Sequence, residues 1–343
     1  MPSALEEALA RHRRALLANE RAAASQMVRA YGQAWQALRP LIAREIAGTV
    51  PKVGTRADIY SATFASDIRA QVEAQLRRFA PFAADSLTEL QRGAVEAAMR
   101  NASVDIAAAG GPSIAFNRMN PAAVEALVGF ASDGSPLQTL FDGIGQDVAP
   151  RMTAALAQGI ALGQSPRVTA QQVRAAFGMG LNRALTIART ETLRAYRDST
   201  AQNYRANAQY LEGWIWVCAC DRRSCASCWA MHGSLHALDE RLDDHPNGRC
   251  AMAPKVKGRP NRIGATGEER FAKLSADDQR AVLGPGMYEA WKDGQVSLSP
   301  TGANSIVGRR DDAQWGTMRY ARSMRDILGP EAAREYSSIA SAR

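Results

Sequence analysis

A cluster of thiol and imidazole side chains constrains the fold of this chain more than any other feature of its sequence. All five cysteines and three of the four histidines of the 343 residues lie between Cys218 and Cys250. Free cysteines are normally scattered through protein cores as small apolar residues, so this concentration indicates a shared metal ion. We therefore expect a small unit whose fold depends on a bound metal.

The spacing within the cluster favours one set of ligands. A Cys-x2-Cys pair directs two thiolates at one ion, and a His-x4-Cys pair follows after sixteen intervening residues, with Pro-Asn-Gly forming a turn inside it. A Cys3His set is typical of structural zinc, which is bound tetrahedrally. The sequence thus predicts a structural Zn²⁺ site formed by Cys225, Cys228, His245 and Cys250. The alternative ligands are Cys218, Cys220, His232 and His236.

Three other interpretations of the cysteines compete with a metal site. Disulfides are disfavoured by the odd number of cysteines and by the lack of a secretory signal. A redox Cys-x2-Cys motif would open a helix after a strand in a βαβ unit, and no such pattern surrounds Cys225. The third interpretation is five unrelated core thiols.

Length and charge bound the wider organisation. A chain of this length is expected to form about two domains, and it contains neither an apolar run long enough to span a membrane nor a signal peptide. We therefore expect a protein without a membrane partner that is made and used in the cytoplasm, or in an assembly formed there. The formal net charge of +8 comes mainly from arginine and mildly favours a polyanionic partner, although a GC-rich genome gives the same bias.

Apolar periodicity and proline or glycine breaks predict a mainly α fold. The expected regions are an elongated helical N-terminal region over residues 1–163, a small α+β domain stapled by zinc over 164–300, and a C-terminal tail over 301–343. Ser3 and Glu6 resemble a capping box that starts the first helix, which Pro40 is expected to close. Further helices are predicted over 57–79, 86–108, 121–130, 136–162, 169–177 and from 181 to about 204.

After Glu212-Gly213, which is expected to break the last of these helices, residues 214–217 predict a strand that leads into the cysteines. Helical character returns at 318–328. A basic segment near the last cysteine is predicted either to contact phosphates or an acidic partner, or simply to be a solvated loop. Its residues are Arg249, Lys255, Lys257, Arg259 and Arg262.

The order of these motifs resembles the phage head morphogenesis proteins, which are the minor head proteins of phages such as Mu and SPP1. The resemblance covers about residues 140–300, and one departure is Gly248, where the family often has a cysteine. The matching motifs are Ile187-Ala-Arg-Thr-Glu-Thr192, the strand over 214–217, Asp221-Arg-Arg-Ser-Cys225 with Cys228, His232-Gly233, His245-Pro-Asn-Gly-Arg-Cys250, the block that begins at Phe271 and Trp291-Lys-Asp-Gly294.

This resemblance implies a non-enzymatic minor capsid protein that acts in head assembly and DNA packaging. The implied partners are the portal protein, the major capsid or scaffolding protein and packaged double-stranded DNA. The implied location is the virion, at the capsid interior or portal vertex, after assembly in the host cytoplasm. On this basis the helical N-terminal region would be the docking element.

Two other classes of function remain open. One is a metal-dependent nuclease or transferase, which would need an open metal position and a nearby general base; its candidate residues are Arg189, Glu191, His232 and His245. The other is a zinc-ribbon nucleic-acid-binding protein, which the basic segment favours and the lack of a recognition helix disfavours.

Overall fold

The computed structural model describes residues 3–49, 62–112, 125–131, 133–162 and 164–341. The predicted starts of helices at Ala57 and Pro121 and the turn over 51–54 lie outside these residues. The described chain is mainly helical with two small sheets, which confirms the predicted class. None of the described helices combines the length and the apolarity that crossing a membrane requires.

Four long helices form most of the first 206 residues. They are α1 (Ala4–Thr49), α2 (Ala62–Ala108), α3 (Leu137–Ala161) and α4 (Pro166–Ala206). The capping box at the start of α1 is present, since Ser3 and Glu6 each accept a backbone N–H from the other.

The predicted helix breaks at Pro40 and Pro81 are wrong, because both prolines lie inside helices. An internal proline costs about 3 kcal/mol through a lost hydrogen bond and a steric clash. Each fully buried aliphatic or aromatic side chain returns about 1.5–3 kcal/mol, and Leu38, Ile42 and Phe79 next to these prolines are almost completely buried. The burial of these side chains therefore outweighs the tendency of proline to break the helix.

The predicted break between residues 177 and 181 is also wrong, because α4 is continuous there. Gly178 and Gly180 weaken the helical preference of this stretch. A side chain at Gly180 would collide with Tyr31 and Val148, so glycine permits a close approach at this point. Gly180, which contributes to the predicted break, therefore serves the close packing of α4 against Tyr31 and Val148.

The residues divide into two compact units, each built from segments that are distant in the sequence. Unit 1 comprises Met1–Leu16, Ala94–Leu127 and Leu193–Arg343, and unit 2 comprises Leu17–Gly93 and Val128–Thr192. The division into the regions 1–163, 164–300 and 301–343 stays a prediction.

Unit 1 contains a three-stranded antiparallel sheet of order β2-β1-β3. Its strands are β1 (Leu211–Val217), β2 (Leu235–His236) and β3 (Ala251–Val256). The prediction that Glu212-Gly213 directly ends the helix is wrong, since α4 ends at Ala206 and both residues belong to β1. Only glycine fits at position 213 of this strand, because a side chain there would strike the backbone oxygen of His236.

The core of unit 1 packs around β1. Trp214, Ile215 and Trp216 are each no more than 1% exposed. They share one apolar cluster with residues from the first turns of α1, the end of α2 and the end of α4. The cluster includes Leu5, Leu9, Ala102, Ile106 and Tyr204. The sheet is therefore covered by residues that the sequence places far away.

The rest of unit 1 consists of short helices and a hairpin. The helices are α5 (Ala226–Met231), α6 (Gly267–Ala272), α7 (Ala276–Leu283), α8 (Pro285–Lys292), α9 (Met324–Leu328) and α10 (Pro330–Ser341), and the hairpin strands are β4 (Val307–Asp312) and β5 (Gly316–Ala321). The predicted helical character over 318–328 is wrong for its first part, which lies in β5. Asp312 accepts the N–H groups of Gln314 and Trp315, and Gly316 has a φ of 68°, which together form the hairpin turn.

Candidate metal centre

The sheet brings the predicted metal ligands together at one edge. Val217 at the end of β1 pairs with Ala251 at the start of β3. Cys218 and Cys250 are the next residues along their strands, so the antiparallel pairing makes them neighbours. Cys225 and Cys228 lie at the N-terminal end of α5, and His245 lies on the loop that leads to β3.

Three of the four predicted ligands form a tight group. Cys225 Sγ lies 3.4 Å from Cys228 Sγ and 3.2 Å from His245 Nε2. Cys228 Sγ lies 3.3 Å from the same nitrogen. Zinc bonds sulfur at about 2.3 Å and nitrogen at about 2.0 Å, so the ligand atoms of one ion must lie within about 4 Å of one another. These three side chains meet that requirement.

A second group lies beside the first and shares Cys228 with it. The donor atoms of Cys228, Asp244 and Cys250 lie within 4.8 Å of one another. The thiol of Cys218 interacts with the thiols of Cys220, Cys228 and Cys250, and its sulfur accepts the N–H of Cys220 at 3.2 Å. All five cysteines are free thiols. The cluster therefore offers more donors than a single tetrahedral ion uses.

Metal binding requires thiolates, and the electrostatics of the cluster favour that form at two cysteines only. The hydrogen bonds to Cys218, together with burial, raise the pKa of Cys220, Cys228 and Cys250 above its ordinary value. The hydrogen bond from Cys228 lowers the pKa of Cys225 to about 4, against the opposing effect of burial. The hydrogen bond to Cys225 in turn raises the pKa of His245 to about 9. The hydrogen bond from Cys220 holds the pKa of Cys218 well below its ordinary value. Cys218 and Cys225 are thus the thiols that ionise most easily.

A buried ion pair fixes the loop that carries His245 and Cys250. The carboxylate of Asp244 accepts the N–H groups of His245 at 3.0 Å and Cys250 at 3.2 Å. Arg197 on α4 donates to Asp244 at 2.7 Å and to the carbonyl oxygens of Gly248 and Cys250. Both side chains are no more than 9% exposed. Together they hold the last two predicted ligands in place, as outer residues do in metal sites.

A second ion pair closes the loop between Cys220 and Cys225. Asp221 pairs with Arg249 and also accepts the hydroxyl of Ser224. The hydrogen bond from Arg249 lowers the pKa of Asp221 to about 2, so the carboxylate stays charged through the physiological range. Arg249, which was predicted as a phosphate contact, is thus engaged with a carboxylate of its own chain.

The two other histidines of the segment contact the sheet. His232 is 3% exposed, and its Nδ1 accepts the N–H of Cys218 at 3.1 Å. Burial lowers its pKa to about 4, which keeps the ring neutral. His236 stacks on Trp214 with ring centroids 4.3 Å apart and contacts Glu240. Both rings therefore position the end of β1 and its neighbours.

The predicted basic segment is divided between paired and exposed residues. Lys255 lies in β3 and pairs with Glu212 at 3.0 Å, and Lys257 donates to the carbonyl oxygen of Ala208. Arg259 and Arg262 are exposed. The structure thus leaves these two side chains accessible to a partner.

The residues suggested for an enzyme belong to different units. Arg189 pairs with the buried Glu20 of unit 2, and Glu191 of the same unit is 1% exposed. His232 and His245 belong to unit 1. Arg189 thus has a structural partner within unit 2.

Sequence reasoning missed Arg197 and Asp244. Asp244 directly precedes a predicted ligand, and this adjacency is a signal for a carboxylate that supports the loop. Arg197 resembles any charged residue on a long helix, so only the fold identifies its role.

Comparison with known proteins agrees with the motif order. Residues 151–253 match the family model described as Phage Mu protein F like protein. The matched residues include the whole of α4, the strands β1 and β2 and the whole cysteine segment. No curated protein and no solved structure matches the chain significantly. The resemblance to the Mu F-like phage head morphogenesis proteins is thereby confirmed over residues 151–253.

Proposed function

We propose that this protein is a non-enzymatic minor capsid protein of a tailed phage or prophage that associates with the portal and the capsid interior during head assembly and DNA packaging. The observation that carries this proposal is the Mu F-like match over residues 151–253. Proteins of this family are generally structural. The proposed location is therefore the virion, and the proposed partners are the portal, the major capsid or scaffolding protein and packaged DNA.

The proposal includes a structural Zn²⁺ ion in unit 1. Cys225, Cys228 and His245 have the donor types and separations of a zinc site, and Cys250 lies beside them. The ion would join α5 to the loop before β3. Its role would be to stabilise a loop-rich region.

The proposed assembly role is tested by binding to the portal encoded by the same phage or prophage. The full chain and the portal are expressed together, and the complex is isolated through a tag on the portal. We expect the chain to copurify with the portal and to be present in mature heads by mass spectrometry. A chain that is absent from both purified portals and purified heads would contradict the proposal.

Exposed Arg259 and Arg262 favour nucleic-acid binding as a second candidate function. Binding to phosphates releases counterions, so the affinity for DNA would fall steeply as the salt concentration rises. The double variant Arg259→Gln, Arg262→Gln would then show a shallower salt dependence than the parent chain. Portal binding without measurable DNA affinity would leave the assembly role alone.

A further inference from the structure

One sulfur atom lies at the centre of the thiol cluster. Cys228 Sγ contacts Cys225 Sγ and His245 Nε2 on one side. On the other side it interacts with the thiols of Cys218 and Cys250. Because a thiolate has several lone pairs, one sulfur can bind two metal ions at once. Cys228 therefore occupies the position of a bridging ligand.

The remaining donors divide into two sets around this sulfur. Cys225 and His245 lie together, and Asp244 Oδ1 lies 3.7 Å from both Cys228 Sγ and His245 Nε2. Cys218 and Cys250 lie together at the ends of the paired strands, with Cys220 beside Cys218. With Cys228 counted in both sets, the donor atoms of Cys225, Cys228 and His245 form one group and those of Cys228, Asp244 and Cys250 form the other, each within 4.8 Å, and Cys218 lies beside the second group.

We propose that the cluster binds two metal ions bridged by Cys228. One ion is held by Cys225, Cys228 and His245, and the other by Cys228, Asp244 and Cys250 with Cys218 beside them. This inference rests on the proposal that unit 1 contains structural zinc, and it assigns four of the five cysteines to a metal.

Charge balance also favours two ions over one. Four thiolates and Asp244 carry five negative charges, and two divalent ions offset four of them. The guanidinium group of Arg197 pairs with Asp244 and matches the remaining charge, whereas Arg249 is already paired with Asp221. A single ion bound by Cys225, Cys228, His245 and Cys250 would leave the buried thiol of Cys218 beside it without a metal.

The first test measures the number of zinc ions bound to the full chain. The protein is expressed in zinc-supplemented medium, and its zinc content is determined by elemental analysis and by native mass spectrometry. We expect about two zinc ions per chain and about one in Cys218→Ser, which removes a ligand of the second ion only. Ser227→Ala is the matched control, because Ser227 touches Cys225 Sγ at 3.2 Å but belongs to neither ligand set; it should keep both ions.

The second test detects the bridge itself. When cadmium replaces zinc, the NMR spectrum should show two cadmium signals that are coupled through the shared sulfur. Two uncoupled signals would overturn the bridge. One zinc ion per chain, unchanged in Cys218→Ser, would overturn the two-ion site and leave the single structural site intact. A protein without any bound metal would overturn both proposals.

Discussion

Arg197 is the residue on which the ligand loop depends most directly. Its guanidinium group donates to Asp244, to Gly248 and to Cys250. A residue far from the cysteines in sequence therefore sets the position of two of the predicted ligands.

We expect Arg197→Met to lower the free energy of unfolding by about 3–5 kcal/mol, because it leaves the buried carboxylate of Asp244 without its partner. Urea denaturation followed by circular dichroism measures this change. The control is Arg241→Met, which removes an exposed ion pair with Asp198 and should cost less than about 1 kcal/mol. Equal stability of the two variants would show that the buried ion pair contributes no more to the free energy of unfolding than the exposed one.

Glu6 gives the stability of unit 1 a defined pH dependence. Burial opposes its ionisation, but the Ser3 backbone N–H and the Arg270 guanidinium outweigh burial and hold the pKa below its ordinary value of 4.5. Because the folded-state pKa is the lower one, this contribution is present above about pH 4.5 and is lost as the pH falls through the folded-state pKa.

Glu6→Gln should therefore be less stable than the parent chain at neutral pH, and the difference should shrink below about pH 4.5. Chemical denaturation at a series of pH values measures it. The neighbouring Glu7→Gln is the control, since Glu7 is exposed. A difference that does not change with pH would mean that Glu6 acts through packing alone.

At the scale of single residues, the sequence predicts the metal ligands better than it predicts the residues that hold them in position. The spacing of Cys225, Cys228 and His245 is sufficient to predict that they meet, because ligand spacing reflects the geometry of the ion. The central position of Cys228 was not predicted, since it depends on the pairing of β1 with β3. Arg197 and Asp244 act through contacts across long sequence separations, which a pattern of residue types does not encode.

Among the elements, α4 shows how glycine can join helices closely. Gly180 lies where Tyr31, whose hydroxyl donates to the Phe177 carbonyl oxygen at 2.8 Å, and Val148 leave no room for a side chain. Gly178 on the same helix has no neighbouring atom within 4 Å of such a side chain. Gly180 is therefore needed for close packing, whereas Gly178 is not.

We expect Gly180→Ala to lower the free energy of unfolding by about 1–3 kcal/mol through overpacking. Gly178→Ala, its matched control, should raise it by about 0.5–1 kcal/mol, because alanine favours the helix. Thermal unfolding measured by calorimetry compares both with the parent chain. A stabilised Gly180→Ala variant would mean that the helices move apart easily.

The existence of the long helices follows from apolar periodicity, whereas their continuity does not. Pro40 and Pro81 are local signals for a break, and they are overridden because the residues on either side are buried by other helices. Similarly, β1 begins before the predicted Trp214 because β3 pairs with it from Leu211 onward. Tertiary contacts determine where these helices and strands begin and end, and such contacts cannot be identified from the local pattern of one sequence.

At the scale of the whole molecule, the core of unit 1 depends on residues from both ends of a long stretch of chain. Leu5, Leu9 and Ile106 pack in the same cluster as Trp214 and Trp216. A fragment over residues 164–343 retains the cysteines and the sheet but lacks these covering residues.

We therefore expect the 164–343 fragment to show no cooperative thermal transition, although it contains all of the proposed metal ligands. Near-ultraviolet circular dichroism of the tryptophans, recorded with zinc present, compares it with the full chain. A fragment that melts cooperatively near the temperature of the full chain would indicate that metal binding alone organises unit 1.

The interleaving of the two units also determines the order in which the protein can fold on the ribosome. Synthesis proceeds at about 5–20 residues per second, so Leu5 and Leu9 are made roughly 10–40 s before Trp214. During that interval the apolar face of the first turns of α1 has none of its β1 partners. Until the strand has been translated, this face can pack only against cluster residues made earlier, such as Ala102 and Ile106 of α2.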